Sequence, residues 1–517
     1  MMHAGRLSLV ALCTLIVALA GCKDKDSSLK RSPPEGGSST GGEITTTCDA
    51  GISEGAVAEP VFWKNLHGQT SWFASPVIFD LDGDGANELV AAYYSIYVFD
   101  SNGEVLAELS DGDGRVYAPH VVVDLEGDGN TEIVAGNGSA VYAYEWNKGL
   151  PALKAGWPAS VDGAGTGPEV RGMAAGDLNG DGSIEIAVTT TETADESDGG
   201  SQVWVFNANG TLYQPDGISW NAWPRYNANT GEGNDADRNG YGHHGYGSYG
   251  LNVAIGNIDD DAELEIIATY DNHHIQAFNH DGVAIDASPW FTNRGDYEGE
   301  RMTWGQFIRW VDPVVEANHY HEHTGEWPHP SWTEWAQWTQ SPPSIADLDL
   351  DGKNEVIGVP NIEMNEPYET QAWGVMVLEG AHGDGSRSAM RKAGFEELKR
   401  GDLPVLVDGW YPPSAPPAPV TVNIQGDDRP EIVVSLNDWF MYAFDADGER
   451  LWRYNYSHRK SIMFASEPTV ADLNQDGSPE ILFTTFGDPG ELDSGNLVIL
   501  AADGTELYDI PLPNPGD

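Results

Sequence analysis

Cations are scarce in this 517-residue sequence: 26 Lys and Arg stand against 81 Asp and Glu, a formal net charge of −55. Nucleic acids and anionic lipid headgroups are held by clustered cations that release counterions, so such surfaces are excluded as partners. Cysteine is nearly absent as well. Cys13, Cys22 and Cys48 are the three, and residues 57–517 contain none, so no disulfide holds the body of the chain. Beyond the first twenty residues no apolar run is long enough to span a bilayer. What is plentiful is Gly (61), Pro (31) and aromatic residues (10%), the composition of many short strands joined by tight turns. At 40% hydrophobic, a chain of this length can bury a large core.

The N-terminus reads as an address. Arg6 precedes an apolar run, Leu7 to Ala20, of the length of a secretory signal rather than of a membrane span. It ends in Leu19-Ala20-Gly21-Cys22, which resembles the bacterial lipobox, in which cleavage leaves the cysteine thiol to carry diacylglycerol. Residues 1–21 are thus expected to be a lipoprotein signal peptide, Cys22 the lipidated residue and residues 22–56, rich in Ser, Gly, Pro and Lys-Asp pairs, a flexible tether. Cys48 in the tether has no evident partner.

One nine-residue phrase recurs through the rest. It reads Asp80-Leu-Asp82-Gly-Asp84-Gly-Ala-Asn-Glu88, Asp124-Leu-Glu126-Gly-Asp128-Gly-Asn-Thr-Glu132 and Asp177-Leu-Asn179-Gly-Asp181-Gly-Ser-Ile-Glu185. Later copies are Asn257-Ile-Asp259-Asp-Asp261-Ala-Glu-Leu-Glu265, Asp347-Leu-Asp349-Leu-Asp351-Gly-Lys-Asn-Glu355, the worn Asn423-Ile-Gln425-Gly-Asp427-Asp-Arg-Pro-Glu431 and Asp472-Leu-Asn474-Gln-Asp476-Gly-Ser-Pro-Glu480. Short apolar runs flank each copy, a third run ends in Asn-Gly or Asp-Gly (Asn102-Gly103, Asn209-Gly210, Asp447-Gly448, Asp503-Gly504), and a fourth follows. Such pairs suit hairpins that need positive φ. Four antiparallel strands per unit and seven units, 44, 53 and 49 residues apart where nothing is inserted, predict an all-β seven-bladed propeller with four-stranded antiparallel blades over residues 57–517. Insertions fall at about 213–250, 290–341 and 380–403. Phe62-Trp63 followed by Ser71-Trp72-Phe73-Ala74-Ser75-Pro76 echoes Leu451-Trp452 followed by Met463-Phe464-Ala465-Ser466-Glu467-Pro468, so the first residues of the body read as a final blade strand at the seam of the ring.

These phrases resemble the FG-GAP or VCBS repeat family, whose blades form the integrin α-subunit type of propeller and whose phrase is a calcium loop between the first two strands. Ca²⁺ takes six to eight oxygens. Carboxylates at positions one, three and five, a carbonyl at seven and Glu at nine can wrap it, while glycine at six permits the sharp turn. The expected ligands are Asp80, Asp82, Asp84 and Glu88; Asp124, Glu126, Asp128 and Glu132; Asp177, Asn179, Asp181 and Glu185; Asn257, Asp259, Asp261 and Glu265; Asp347, Asp349, Asp351 and Glu355; Asp472, Asn474, Asp476 and Glu480. That makes about five to six Ca²⁺ sites, copy six being the poorest with Asn423 and Gln425. Even with an ion in every loop, most of the negative charge remains for a solvated exterior.

The insertion at 290–341 holds Trp290, Trp304, Trp310, Trp327, Trp332, Trp335 and Trp338. Trp327, Trp332 and Trp335 are candidates to stack on a glycan or anchor a protein, against the alternative that the tryptophans are the insertion's own small core. His319, His321 and His323 would share one face if they lie on a strand, a candidate transition-metal site, and would diverge in a loop. Arg387, Arg391, Lys392, Lys399 and Arg400 read as the solvated face of a helix. No nucleophile elbow, zinc-protease motif or P-loop is present, so no catalytic residue is assigned. The expected role is a lipid-anchored, calcium-binding propeller of the bacterial envelope, at the outer membrane or cell surface, that recognises a protein or glycan without catalysis. The alternatives are a polysaccharide lyase or hydrolase, and a structural subunit of an envelope complex.

Overall fold

The computed structural model describes residues 55–66, 74–190 apart from 93, 113, 148–149 and 163–166, 203–214, 252–292 apart from 271–273, 303–305, 335–338, 341–402 apart from 366–369, 405–406, 417–457, 463–487 and 495–513. These residues form seven antiparallel sheets in chain order. Sheet one runs Val77–Phe79, Glu88–Ala92, Ile96–Phe99, Val105–Leu109, each strand beside the next. Sheet six repeats it with Val420–Val422, Glu431–Ser435, Phe440–Phe444 and Arg450–Asn455. Every copy of the acidic phrase joins two strands that pair with each other, the first and second of its unit, with the closing Glu opening the second; in sheets five and seven the strands Trp335–Gln337 and Met463–Ala465 precede that pair.

Burial explains the composition of the strands. Second and third strands such as Glu132–Asn137 and Ile96–Phe99 are buried on both faces, so they read as unbroken apolar runs rather than alternating ones. Six cores join consecutive sheets. Val90, Ala92, Ile96 and Val98 of sheet one meet Ile133, Ala135 and Tyr144 of sheet two; Val433, Met441 and Ala443 of sheet six meet Ile481, Phe483 and Val498 of sheet seven. The first strands of sheets one to six also touch in succession.

Between sheets seven and one the arrangement differs. Leu89, Tyr97 and Phe99 on one side and Leu482, Leu497 and Ile499 on the other form two separate small clusters. Residues 55–66 bridge them: Gly55 O accepts from Asn474 Nδ2 and Val57 O from the Tyr508 hydroxyl, while Lys64 donates to Gly103 O and Glu104. The expected final strand is corrected here. Glu506–Pro511 is itself the outer strand of sheet seven, and residues 55–66 cross the seam without strand pairing.

Other expectations are corrected too. Among the described residues, sheets three and four have three strands each, and the segments that follow contribute the bridges Phe206–Leu212 and Phe278–Ala284. The sequence after those bridges turns quickly to Pro215 and Pro289, which cannot donate to a ladder. Sheet five is larger than four strands, because Thr370–Glu379 is long enough to pair with Glu355–Gly358 at one end and Asn361–Asn365 at the other. Residues 380–402 form no helix: Gly383, Gly385 and Gly394 have positive φ, and Lys399–Arg400 pairs with Gly374 and Val375. Arg391 and Lys392 are buried rather than solvated. Among the described residues no helix is long and apolar enough to cross a membrane.

Third-to-fourth hairpins dock sheets three, six and seven on their predecessors. Gly210, at φ +78°, lies under Trp157 and against Gly156 O, and Trp157 Nε1 donates to Ala208 O. Gly156 itself is at φ +95°, where an added Cβ would stand 2.1 Å from Asn209 O. Gly83, at φ +75°, faces open space. Gly156→Ala combines backbone strain with a collision against main chain and is expected to cost about 1–3 kcal/mol or more, whereas Gly83→Ala costs strain alone, about 1 kcal/mol. Denaturant midpoints at fixed calcium measure the difference, and equal midpoints would contradict the docking.

Candidate metal sites

One hydrogen bond is common to all seven loops. The Oε2 of the Glu at position nine accepts the amide of position two, at 2.7–3.0 Å, in Leu81–Glu88, Leu125–Glu132, Leu178–Glu185, Ile258–Glu265, Leu348–Glu355, Ile424–Glu431 and Leu473–Glu480. These glutamates are buried at the start of their second strands. Each therefore locks its loop with one oxygen and leaves the other, Oε1, to a different partner.

In loops one, two, three, five and seven the Asp at position one accepts the amides of positions five and six with its two oxygens, as Asp80 does from Asp84 and Gly85. The glycine at six lies at φ +84° to +90°, a conformation an L side chain resists. Asp84, Asp128, Asp181, Asp351 and Asp476 at position five each take the amide two residues on. The nine residues thus form a tight acidic cup.

Loop four is built differently. Asp260 and Ala262 replace the turn residues, Asn257 donates to Asp261 O, and Asp260 turns outward to His382 and the Gly383 amide of the neighbouring sheet. Its carboxylates still converge. Asp259, Asp261 and Glu265 offer oxygens within 4.8 Å of one another, as do Asp80, Asp82 and Glu88 in loop one and Asp347, Asp349 and Asp351 in loop five. Glu265 is fully buried and its Oε1 has no hydrogen-bond partner. Burial pushes its carboxyl up to about 8 against the pull of the Ile258 amide, and the charges of Asp259 and Asp261 add to the rise. In loop three burial likewise lifts Glu185 to about 7. A bare buried oxygen among carboxylates is what a bound cation would satisfy.

Loops two, five and six already hold a donor. Lys154 Nζ lies 2.8 Å from Glu126 and 3.3 Å from Glu132 Oε1 and Glu145; Lys392 Nζ contacts Asp349 and lies 3.0 Å from Glu355 Oε1. In the worn loop six, Gln425 Nε2 donates to Glu431 Oε1 at 3.1 Å. The phrase alone does not reveal these two lysines, since Lys154 follows the strand Leu150–Leu153 and Lys392 follows the isolated bridge of Arg391 to Leu378. A signal existed: Lys154-Ala155-Gly156-Trp157 and Lys392-Ala393-Gly394-Phe395 are nearly the same four residues.

Trp304 and Trp338 are buried in the core between sheets four and five, and Trp304 Nε1 donates to Glu379 O. These two side chains are core rather than recognition surface. Trp335 begins the strand Trp335–Gln337. Trp327, Trp332, His319, His321, His323, Cys22 and Cys48 lie outside the described residues.

The profile of the FG-GAP-like repeat family matches residues 124–188, which hold the second and third copies of the phrase. A comparison with curated proteins finds no match. Among solved structures, BBS1N in complex with ARL6DN is similar at TM-score 0.37 and 10% identity, over 87% of this chain and 94% of that one. The biofilm matrix protein Bap1 of V. cholerae gives 0.34 and 13%, over 86% and 96%. The quinohemoprotein alcohol dehydrogenase ADHIIG of Pseudomonas putida HK5 gives 0.44 and 12%, over 84% and 67%.

A carboxyl whose folded pKa is raised stabilises the fold below its ordinary value of 4.5 and loses that contribution as pH climbs through the folded value, about 8 for Glu265. Metal-free protein should therefore lose several degrees of Tm between pH 5 and 8.5. Glu265→Gln should flatten that slope; an unchanged slope in the folded variant would exclude Glu265 as its source.

Proposed function

We propose that the chain is a calcium-stabilised seven-bladed β-propeller, held on the bacterial envelope by a lipid on Cys22, that presents a recognition surface for a protein or glycan and catalyses nothing. The observation that carries the calcium reading is the buried, unpartnered Oε1 of Glu265 beside Asp259 and Asp261, in a loop whose glutamate lock recurs in every sheet. Seven sheets with successive first-strand contacts and a bridged seam support the ring. The carboxylates at positions one, three, five and nine, with the carbonyl at seven, suit the large, adaptable shell of Ca²⁺ better than the small octahedral shell of Mg²⁺. Repulsion from the acidic surface leaves neutral glycans and proteins as partners, with Trp327, Trp332 and Trp335 the residues assigned to contact them.

Binding to the folded state alone adds RT ln(1 + [L]/Kd), about 2.7 kcal/mol per site at a hundredfold excess over Kd. Chelation should lower Tm by many degrees, Ca²⁺ should restore it and Mg²⁺ should restore little. Asp82→Ala should cost more than Gln425→Ala. Identical melting curves for calcium-loaded protein and protein shown by elemental analysis to be metal-free would refute calcium binding. The anchor is checked separately: Cys22→Ser should move the protein from the membrane to the soluble fraction, and a variant that still sediments, with no lipid on the wild type by mass spectrometry, would remove it.

A further inference from the structure

The two Lys-Ala-Gly-aromatic segments occupy equivalent places in sheets two and five. The Lys154 amide donates to Ala143 O and the Lys392 amide to Val377 O. Ala143 and Val377 each lie two residues before the residue paired with the position-nine glutamate, Glu145 with Glu132 and Glu379 with Glu355. In both segments the aromatic amide donates back to the lysine carbonyl. In both, the glycine has positive φ, +95° at Gly156 and +87° at Gly394, and an added Cβ would stand 2.1 Å from a carbonyl of the next sheet's hairpin, Asn209 O or Asp447 O. Trp157 and Phe395 are buried in the adjoining inter-sheet cores. The backbone that carries each lysine is therefore clamped between two sheets, and the ammonium is delivered to the same two loop positions, three and nine. Both lysines are buried.

The equivalent position in the other sheets carries no cation: Ala107 faces Val98, Trp452 faces Ala443 and Tyr508 faces Ile499, while Tyr213 and Ile285 donate to Val205 O and Ala277 O. Loops two and five are also among the three that carry four carboxylates at positions one, three, five and nine. Their lysines lower that excess to the level of loops three, four and seven. A divalent ion placed on the same oxygens would sit against a fixed positive charge.

We infer that Lys154 and Lys392 are built-in cations that close loops two and five in place of a metal ion, so that these loops take no calcium while loops one, three, four and seven do. The inference rests on the calcium reading above and divides its sites. In loop six the Gln425 amide fills the same place on Glu431 Oε1, so three loops are closed from within by three side chains.

The test counts ions on the full chain after metal stripping and reloading with Ca²⁺, by elemental analysis and titration calorimetry. Wild type should hold four. Lys154→Met and Lys392→Met, which keep the stem and remove the charge, should each gain one, and the double variant two. Should the lysine variants fail to fold, lysine-intact protein answers the same question: Asp124→Asn and Asp347→Asn should leave the count unchanged, while Asp80→Asn and Asp177→Asn should each lower it by one. Calcium on wild type that falls with Asp124→Asn or Asp347→Asn, or that does not rise in folded lysine variants, would overturn the lysine assignment and leave calcium binding intact. Absence of calcium from wild type and all variants would overturn both.

Discussion

The bond from the position-two amide to a buried glutamate is the constraint on which the rest is built. It fixes the end of each first strand to the start of the second, so the acidic loop has a set shape before any cation is considered. It also forces a carboxylate into the sheet, where one oxygen is satisfied by backbone and the other must be satisfied by something else. Burying an ionised oxygen without a partner is costly. The seven loops answer that single demand in different ways, by lysine, by glutamine or by an open acidic cup, and the differences among them follow from which neighbour reaches Oε1.

That view ties stability to the inter-sheet cores. The lysines reach their loops because Gly156 and Gly394 let the chain press onto the hairpin of the following sheet. Loop closure in one sheet is thereby coupled to docking of the next, through residues that touch neither the loop nor any ligand. The same geometry explains why apolar runs are continuous in second and third strands, while first strands such as Val121–Val123 are only half-buried. The former lie between two sheets, and the latter meet neighbours mainly along one line.

Much of the fold was legible because the phrase marks the first hairpin of each sheet and Asn-Gly or Asp-Gly marks the second. Residues such as Asp80 to Glu88 carry their own register, and glycine at the turn needs no tertiary context. What escaped sequence reading was non-local. Lys154 lies 22 residues beyond Glu132, and Lys392 lies 37 beyond Glu355. Their roles depend on strand pairing, which charge periodicity misread as a solvated helix in the case of Lys392. The sequence offered the tryptophans of the long insertion as a small core of its own, whereas the side chains of Trp304 and Trp338 fill a core shared by two sheets. The bridge by residues 55–66 escaped for the opposite reason: its echo of Trp452 suggested a strand, whereas its bonds to sheets seven and one run mostly through side chains.

That bridge gives the molecule a mechanical weak line. Tension applied to the chain ahead of residue 55 is delivered first to Gly55 and Val57, held by Asn474 and Tyr508, and then to Lys64 on the first sheet's hairpin. Those few contacts are loaded one after another, as in peeling a strip, before any strand ladder bears force in parallel. Under load the ring would open where its two apolar faces are already separate, leaving the six inter-sheet cores whole.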